Sequence, residues 1–295
     1  MLAIFAPTAC GKSAVAELLA ARLDGEVVSA DSAALYAGLS LLTAAPNAST
    51  RLVGVFPLEE RVSVGAYQRL AHAAIDEIVA AGGVPVLTGG TGLYFRAALG
   101  ALALPPPPAA GERERFSDLY DELGPERAHS LLADRDPAAG ARVHANDRRR
   151  VVRALELAAK GASLAPDEDR LWSEETRHPT LVFGLELPPA ELERRVRARL
   201  EEMVASGVVE EARAAWRRPL SESARRVLGL EEFATLPLSE AIERTTLATL
   251  RLARYQRKWL RRLSVAATLD ADRPPGEIAD EIVALAGARE RLPRR

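Results

Sequence analysis

The segment Ala6-Pro-Thr-Ala-Cys-Gly-Lys-Ser13 constrains this chain most. It follows a short apolar run, Leu2–Ala6, and opens a helical period from Ser13 to Leu23. The pattern is G-x-x-x-x-G-K-[ST] with Ala6 at the first glycine position. A strand that turns through such a loop into a helix aims its backbone N–H groups at one point, the helix N-terminus, where phosphate oxygens bind. Gly11 allows close approach, Lys12 adds a point charge, and the Ser13 hydroxyl suits Mg²⁺. Ala6 is compatible if that position keeps a negative φ. Cys10 reads as a small loop residue rather than a nucleophile, since no His lies near it in sequence. The loop specifies a phosphorylated ligand but not a reaction: kinases, ATPases, GTPases and diphosphate transferases all use one. No run of four apolar residues ends in Asp-Glu, and no Asn-Lys-x-Asp guanine reader is present.

The alternation continues downstream. Glu26–Ser29 and Val84–Leu87 read as strands, and Val64–Ala81 between them as a helix ended by Gly82-Gly83. Strand and helix in turn predict a parallel sheet with crossover helices. Ligands of such sheets bind beyond the carboxyl ends of the strands, here at Pro7–Ser13, Ala30–Tyr36 and Thr88–Tyr94. The proline run in Leu104–Gly111 reads as an extended spacer. Arg113–Leu132 and Asp147–Lys160 then read as helices without strands between them, and Gly161–His178 as irregular. Leu181–Leu187 returns to a strand pattern, and Ala190–Arg217, Leu238–Arg262 and Glu277–Leu285 read as helices. The expected organisation is an α/β core of residues 1–103 and 180–295, interrupted by a helical insertion of residues 104–179.

Charge adds a second constraint. With 39 basic and 41 acidic side chains the net charge is −2, so any attraction to a polyanion must be local. GC-rich codon usage explains a basic set that is Arg apart from Lys12, Lys160 and Lys258. Two stretches are locally basic: Ala141–Lys160 has six cations and two acids, and Arg244–Arg262 has seven cations and no acid. A solvated helix face normally mixes signs, so Arg244–Arg262 is the first candidate for a polyanion contact. The single cysteine excludes an internal disulfide and fits a reducing compartment. The absence of a long apolar run or a basic leader adds to an expected cytoplasmic location with no membrane contact.

Six motifs in order complete the reading. Val27-Val-Ser-Ala-Asp-Ser-Ala-Ala-Leu-Tyr36 leads to Thr43-Ala-Ala-Pro-Asn47, and Val86-Leu-Thr-Gly-Gly-Thr-Gly-Leu-Tyr94 follows a later strand. Asp136-Pro, Ala141–Asp147, Arg150 and Arg153–Glu156 lie in the insertion. Arg195, Arg199, Met203, Gly207 and Glu210 run through one expected helix, and Ala248–Arg261 closes the set. With the loop, these resemble the bacterial tRNA dimethylallyltransferases from residue 2 to about 262. Departures are Ala6, the segment Arg51–Pro57, Leu228-Gly-Leu230, Leu250-Arg251, and Tyr255 within Arg254-Tyr255-Gln256.

The resemblance implies an α/β fold, a P-loop nucleotide-kinase-like parallel sheet core with a helical insertion domain. It implies transfer of a dimethylallyl group from dimethylallyl diphosphate to the exocyclic amine of the adenosine 3′ to a tRNA anticodon. Asp31, Thr8 and Arg199 would be catalytic, with Asp31 as the base. Thr8, Ala9, Cys10, Gly11, Lys12, Ser13 and Arg199 would bind the diphosphate, with Mg²⁺ on Ser13. The tRNA anticodon stem-loop would meet Asp31, Ser32, Ala33, Ala34 and Thr91. Arg113, Arg149, Arg150, Val151, Val152 and Arg153 would add contacts from the insertion, and Arg226, Gly229, Arg254, Gln256, Lys258 and Arg261 from the core. Gln256 would read a base edge, whereas Tyr94 and Trp259 read better as core than as stacking rings. A monomer is expected.

Three other readings use the same residues. A small-molecule kinase would need an Arg-rich lid over ATP, and the long insertion with clustered Arg suits RNA better. An isopentenyltransferase for free adenine nucleotides would not need the basic stretch 244–262. An RNA-binding module that had lost catalysis would have no use for Gly11, Lys12, Ser13 and Asp31.

Overall fold

In the computed structural model, residues 1–45, 49–105, 108–109, 111–165 and 170–290 are described. Pro46 and Asn47, the end of one motif, and part of the proline spacer lie outside them.

Strand β1 (Leu2–Phe5) is fully buried and leads through the loop into α1 (Lys12–Arg22) and β2 (Gly25–Ser29). Then come α2 (Val64–Ala80), β3 (Val84–Gly89) and α3 (Gly92–Leu99). Helices α4 (Glu112–Leu123), α5 (Pro125–Arg135), α6 (Pro137–Gly140) and α7 (Arg148–Ala158) follow, and then a 3₁₀ turn at Arg170–Trp172. The chain returns through β4 (Leu181–Glu186), α8 (Pro189–Ala205), α9 (Val208–Trp216), α10 (Glu222–Arg225) and α11 (Leu230–Thr235). It ends with α12 (Leu238–Leu260), β5 (Ala267–Asp270) and α13 (Pro275–Glu290).

The five strands form one parallel sheet in the order β2-β3-β1-β4-β5. Central β1 pairs with β3 on one side (Phe5 opposite Gly89) and with β4 on the other (Phe5 opposite Gly184). The chain therefore reverses direction across the sheet at β1, the switch point where such sheets open a crevice at their carboxyl ends. Side-chain alternation splits β1 between two layers. Leu2 and Ile4 join Val15, Leu19, Phe183, Leu185 and Ile282 in one core, while Phe5 meets Phe95 of α3 edge-on, ring centres 5.1 Å apart.

The chain divides into two compact units, Met1–Ala101 with Glu174–Arg295, and Leu102–Ser173. Among its described residues the second has helices and no strand, with its own core of Phe116, Tyr120, Leu132, Val151, Val152 and Leu155. Among the described residues no helix is long and apolar enough to cross a membrane.

Three departures of local structure from the sequence reading have a clear physical cause. Arg113–Leu132 is two helices, because Gly124 takes φ 76° and Pro125 restarts the chain as α5. Ala190–Arg217 is also two, broken at Gly207 with φ 96°, so the motif from Arg195 to Glu210 spans α8 and α9. In both the apolar period runs through the break and conceals it. Strand β5 was not anticipated, because only Leu269 of its four residues is buried and no alternation shows.

Candidate active site

The phosphate loop begins where β1 ends. The Ala6 N–H donates to the Gly89 carbonyl at 3.3 Å, continuing the β1–β3 ladder, and Ala6 is completely buried. The left-handed residues of the loop are Ala9 (φ 65°) and Gly11 (φ 75°), not Ala6. That is why alanine fits the first glycine position here. Gly11 caps α1 without a side-chain hydrogen bond, and the first turn of α1 carries no acid. The orphan N–H groups of that turn are thus left for an anion. Ser13 stands half-buried in the same turn.

Three charges share this neighbourhood. Burial pushes the Lys12 ammonium below the ordinary lysine range; the charge of Asp31 opposes the shift and that of Arg199 adds to it. Burial likewise lowers Arg199, again with Asp31 opposing. The Arg199 Nε–H is buried with no partner among the described residues. A buried, unsatisfied guanidinium donor costs about 1–3 kcal/mol or more, and an anionic ligand at this position would recover it. Residues from the start of α1, the loop that follows β2, and α8 therefore converge electrostatically, as the carboxyl-end rule anticipates.

Asp31 is held by its own loop. Its Oδ1 accepts the Ala33 N–H at 2.9 Å, and its N–H donates to Ser29 Oγ at 3.3 Å. Ser32 reaches across to the next loop, with Thr91 Oγ1 3.3 Å from its N–H and 3.4 Å from its Oγ. Thr91 stands at the N-cap of α3 without capping it, leaving the hydroxyl to that link. Beneath the segment, the buried Tyr67 O–H donates to the Ser29 carbonyl at 2.9 Å. Ala34 is 2% exposed and its carbonyl accepts the Gly54 N–H, so it belongs to the core and not to an RNA surface.

Helix α12 lies against this loop. Gln256 is 4% exposed, and its Oε1 accepts the Thr8 N–H at 2.8 Å. It is therefore a fastening of the phosphate loop, not a reader of base edges. A Cβ at Gly90 would stand 2.4 Å from Gln256 Nε2, and one at Gly92 2.0 Å from Trp259 Cδ2. The Thr-Gly-Gly-Thr-Gly run is the sequence trace of these two close approaches. Trp259 packs on Gly92 of α3, and Tyr94 against Tyr67 with ring centres 4.7 Å apart; both side chains are half-buried rather than core. Arg254 and Lys258 are exposed, as is Arg261 just beyond the helix.

Other expected RNA contacts resolve into two kinds. In the helical unit, Arg149 and Arg150 are exposed, whereas Val151 and Val152 are core. Arg113 is committed internally: its Nε and Nη2 donate to the two oxygens of Glu156 at 2.8 and 3.1 Å. Arg153 donates to the same carboxylate at 2.8 Å. Glu156 is 1% exposed, so a buried charge needs both cations. In the core, exposed Arg226 pairs with Glu222 at 2.6 Å. Gly229 is buried with φ 87°, where a Cβ would meet Leu42 at 3.0 Å; its role is backbone geometry.

Two structural pairings escaped the sequence reading. Glu211 on α9 accepts the N–H groups of Leu41 and Leu42 at 3.0 and 2.8 Å, clasping the segment that follows Asp31. Tyr36 lies 2.6 Å, O–H to Oγ, from Ser223. Neither pairing has a local spacing that would reveal it. Among the described residues no cluster of three His, Cys, Asp or Glu side chains could hold a metal by itself. Mg²⁺, however, typically takes one or two protein oxygens and completes its shell with water and substrate phosphate. The Ser13 hydroxyl beside the loop fits that requirement.

Residues 34–263 match the family described as IPP transferase. A tRNA dimethylallyltransferase of Anaeromyxobacter sp. (strain Fw109-5) is 39% identical over 288 residues, covering 92% of this chain and 96% of the relative. One from Salinispora arenicola is 38% identical, covering 98% and 87%. The tRNA isopentenylpyrophosphate transferase of Bacillus halodurans superposes with a TM-score of 0.69 at 29% identity, covering 99% of this chain and 98% of that one. A eukaryotic dimethylallyltransferase acting on tRNA gives a TM-score of 0.79 at 20% identity, covering 100% and 81%, which shows the shared fold.

Proposed function

The chain belongs to the IPP transferase family, and from that membership we infer both its reaction and the part each residue plays. It is a tRNA dimethylallyltransferase: it moves a dimethylallyl group from dimethylallyl diphosphate to the exocyclic amine of the adenosine 3′ to the anticodon, releasing diphosphate. The observation that carries the reading is the shared electrostatic neighbourhood of Lys12, Arg199 and Asp31 at the carboxyl end of the sheet.

The exocyclic amine is a weak nucleophile, because its lone pair is delocalised into the purine. As the amine nitrogen bonds to C1 of the dimethylallyl group, the C1–O bond to diphosphate breaks and the nitrogen must lose a proton. Asp31 accepts that proton. With Oδ1 held by the Ala33 N–H, the other oxygen is left to face the amine. The leaving diphosphate gains charge on its bridging oxygen, and fixed positive groups stabilise that change. The N–H groups at the start of α1, the Lys12 ammonium and the Arg199 Nε–H supply them. Thr8 gives its own N–H to Gln256 and serves through its hydroxyl. Mg²⁺ held by the Ser13 hydroxyl would neutralise further phosphate charge when bound.

The target base lies in a loop of the RNA, where swinging it out costs less than extracting it from a duplex. Asp31, Ser32 and Thr91 then form its pocket. Arg149 and Arg150 of the insertion, and Arg254, Lys258 and Arg261 of the core, hold the anticodon arm by its phosphates.

Incubation with dimethylallyl diphosphate, Mg²⁺ and unmodified tRNA is expected to give isopentenyladenosine, identified by mass. Parallel reactions with ATP and small hydroxyl acceptors are expected to give nothing; phosphorylated product there would favour a kinase. Asp31→Ala is expected to abolish transfer while tRNA still binds. Turnover by that variant would remove the base assignment.

A further inference from the structure

Tyr255 is the most exposed large apolar side chain among the described residues, 58% accessible on α12. One helical turn on, Trp259 meets it edge to face, ring centres 6.5 Å apart and planes at 75°. Trp259 in turn lies on Gly92, next to Thr91, whose hydroxyl is linked to Ser32 beside Asp31. The rings therefore form a step leading outward from the Asp31 pocket. Leu252, 39% exposed and three residues before Tyr255, extends the apolar face.

Along the same stretch Arg244 pairs with Glu240 and Arg257 with Glu186. Among the described residues Arg251, Arg254, Lys258 and Arg261 make no ion pair, and all are exposed. An exposed ring set among unpaired cations is the composition of a single-strand nucleic-acid surface: cations follow the phosphates and the ring takes a base face. A water-facing tyrosine alone gains nothing from its exposure, and the cations make a nucleic acid, not an apolar protein, its fitting partner.

We propose that Tyr255 is a stacking platform for an unpaired nucleobase adjacent to the target adenine in the RNA loop. The assignment rests on the tRNA reading above and goes beyond it. Stacking of this kind reads the π-face and tolerates different bases, so Tyr255 contributes affinity and placement of the loop more than sequence choice.

The test uses the full chain and an anticodon stem-loop with 2-aminopurine next to the target adenosine. Stacking on Tyr255 quenches the probe when the wild-type protein binds. Tyr255→Phe is expected to keep the quench. Tyr255→Ala is expected to lose it and to raise KM for tRNA about tenfold. A quench retained in Tyr255→Ala, lost in Tyr255→Phe, or absent from the wild type overturns the proposal. The first of these outcomes would assign the exposed ring to another occupant. Dimethylallyl transfer by the wild-type protein is scored separately. No transfer, with a quench that depends on Tyr255, would overturn the reaction and leave the stacking site standing.

Discussion

The side-chain oxygen of Gln256 accepts the backbone N–H of Thr8 at 2.8 Å, fastening the long basic helix to the phosphate loop 248 residues earlier in the chain. The bond is half-buried, with Gln256 the enclosed partner, and its loss leaves a loop N–H short of an acceptor, a cost toward the lower end of about 1–3 kcal/mol. Gln256→Met keeps the length and removes the acceptor. The expected result is a rise of about tenfold in KM for dimethylallyl diphosphate, with tRNA affinity little changed, read from steady-state kinetics and filter binding. Weakened tRNA binding with normal donor KM would restore the base-edge role expected from sequence.

Lys12 makes donor binding sensitive to alkali. Its charged form binds the diphosphate, and burial lowers its pKa below the ordinary 10.5. Charge, and with it donor affinity, is present below the lowered pKa and is lost as pH rises through it. KM for the donor is expected to climb at a lower pH than an ordinary lysine would allow. Lys12→Arg, which stays protonated, should remove that climb even where it raises KM throughout. The unliganded fold has the opposite sign: between the folded and unfolded pKa the unfolded chain holds more protons, so stability rises with pH.

What the sequence disclosed, and what it hid, follows from the range of the interactions. The loop and Asp31 just beyond β2 are local patterns, each readable within a dozen residues, and the parallel sheet follows from the alternation of such short strand and helix patterns. Arg199 was legible only through family resemblance, since nothing in an Arg-rich helix distinguishes the guanidinium that points inward. Val151 and Val152 were misplaced on the RNA surface because their motif neighbours, Arg149 and Arg150, do face solvent. A helix turns about 100° per residue, so adjacent members of one motif point to different surroundings. Gln256 failed for a related reason: a polar residue amid cations reads as exposed until its partner, far off in sequence, is known.

Cys10 should be chemically silent. It is 1% exposed, and burial pushes its thiol up to about 11, against the opposing charge of Lys12. Only the thiolate reacts. Iodoacetamide at pH 7.5 is therefore expected to leave the native protein unmodified and to label one site after denaturation, as followed by intact mass. Rapid native labelling with loss of activity would show that the loop opens far more readily than its packing implies.

The insertion separates stability from RNA contact in a way two sets of variants can measure. Glu156 is buried under Arg113 and Arg153, and removing its charge strands two cations beside an apolar core. Loss of one partner of a buried pair costs ~3–5 kcal/mol; because both arginines reach partly into solvent, Glu156→Gln is expected near the lower end, seen as a fall in Tm. Arg113→Ala should likewise lower Tm, with its effect on RNA following from the damaged helical unit. Arg149→Ala and Arg150→Ala remove exposed cations instead and should leave Tm within about 0.5 kcal/mol equivalent. Each is expected to weaken tRNA binding and to reduce the slope of log affinity against log salt by up to about one unit. If Arg113→Ala instead left Tm unchanged and flattened the salt slope, its guanidinium would be gripping phosphate, and the carboxylate of Glu156 would be held by Arg153 alone.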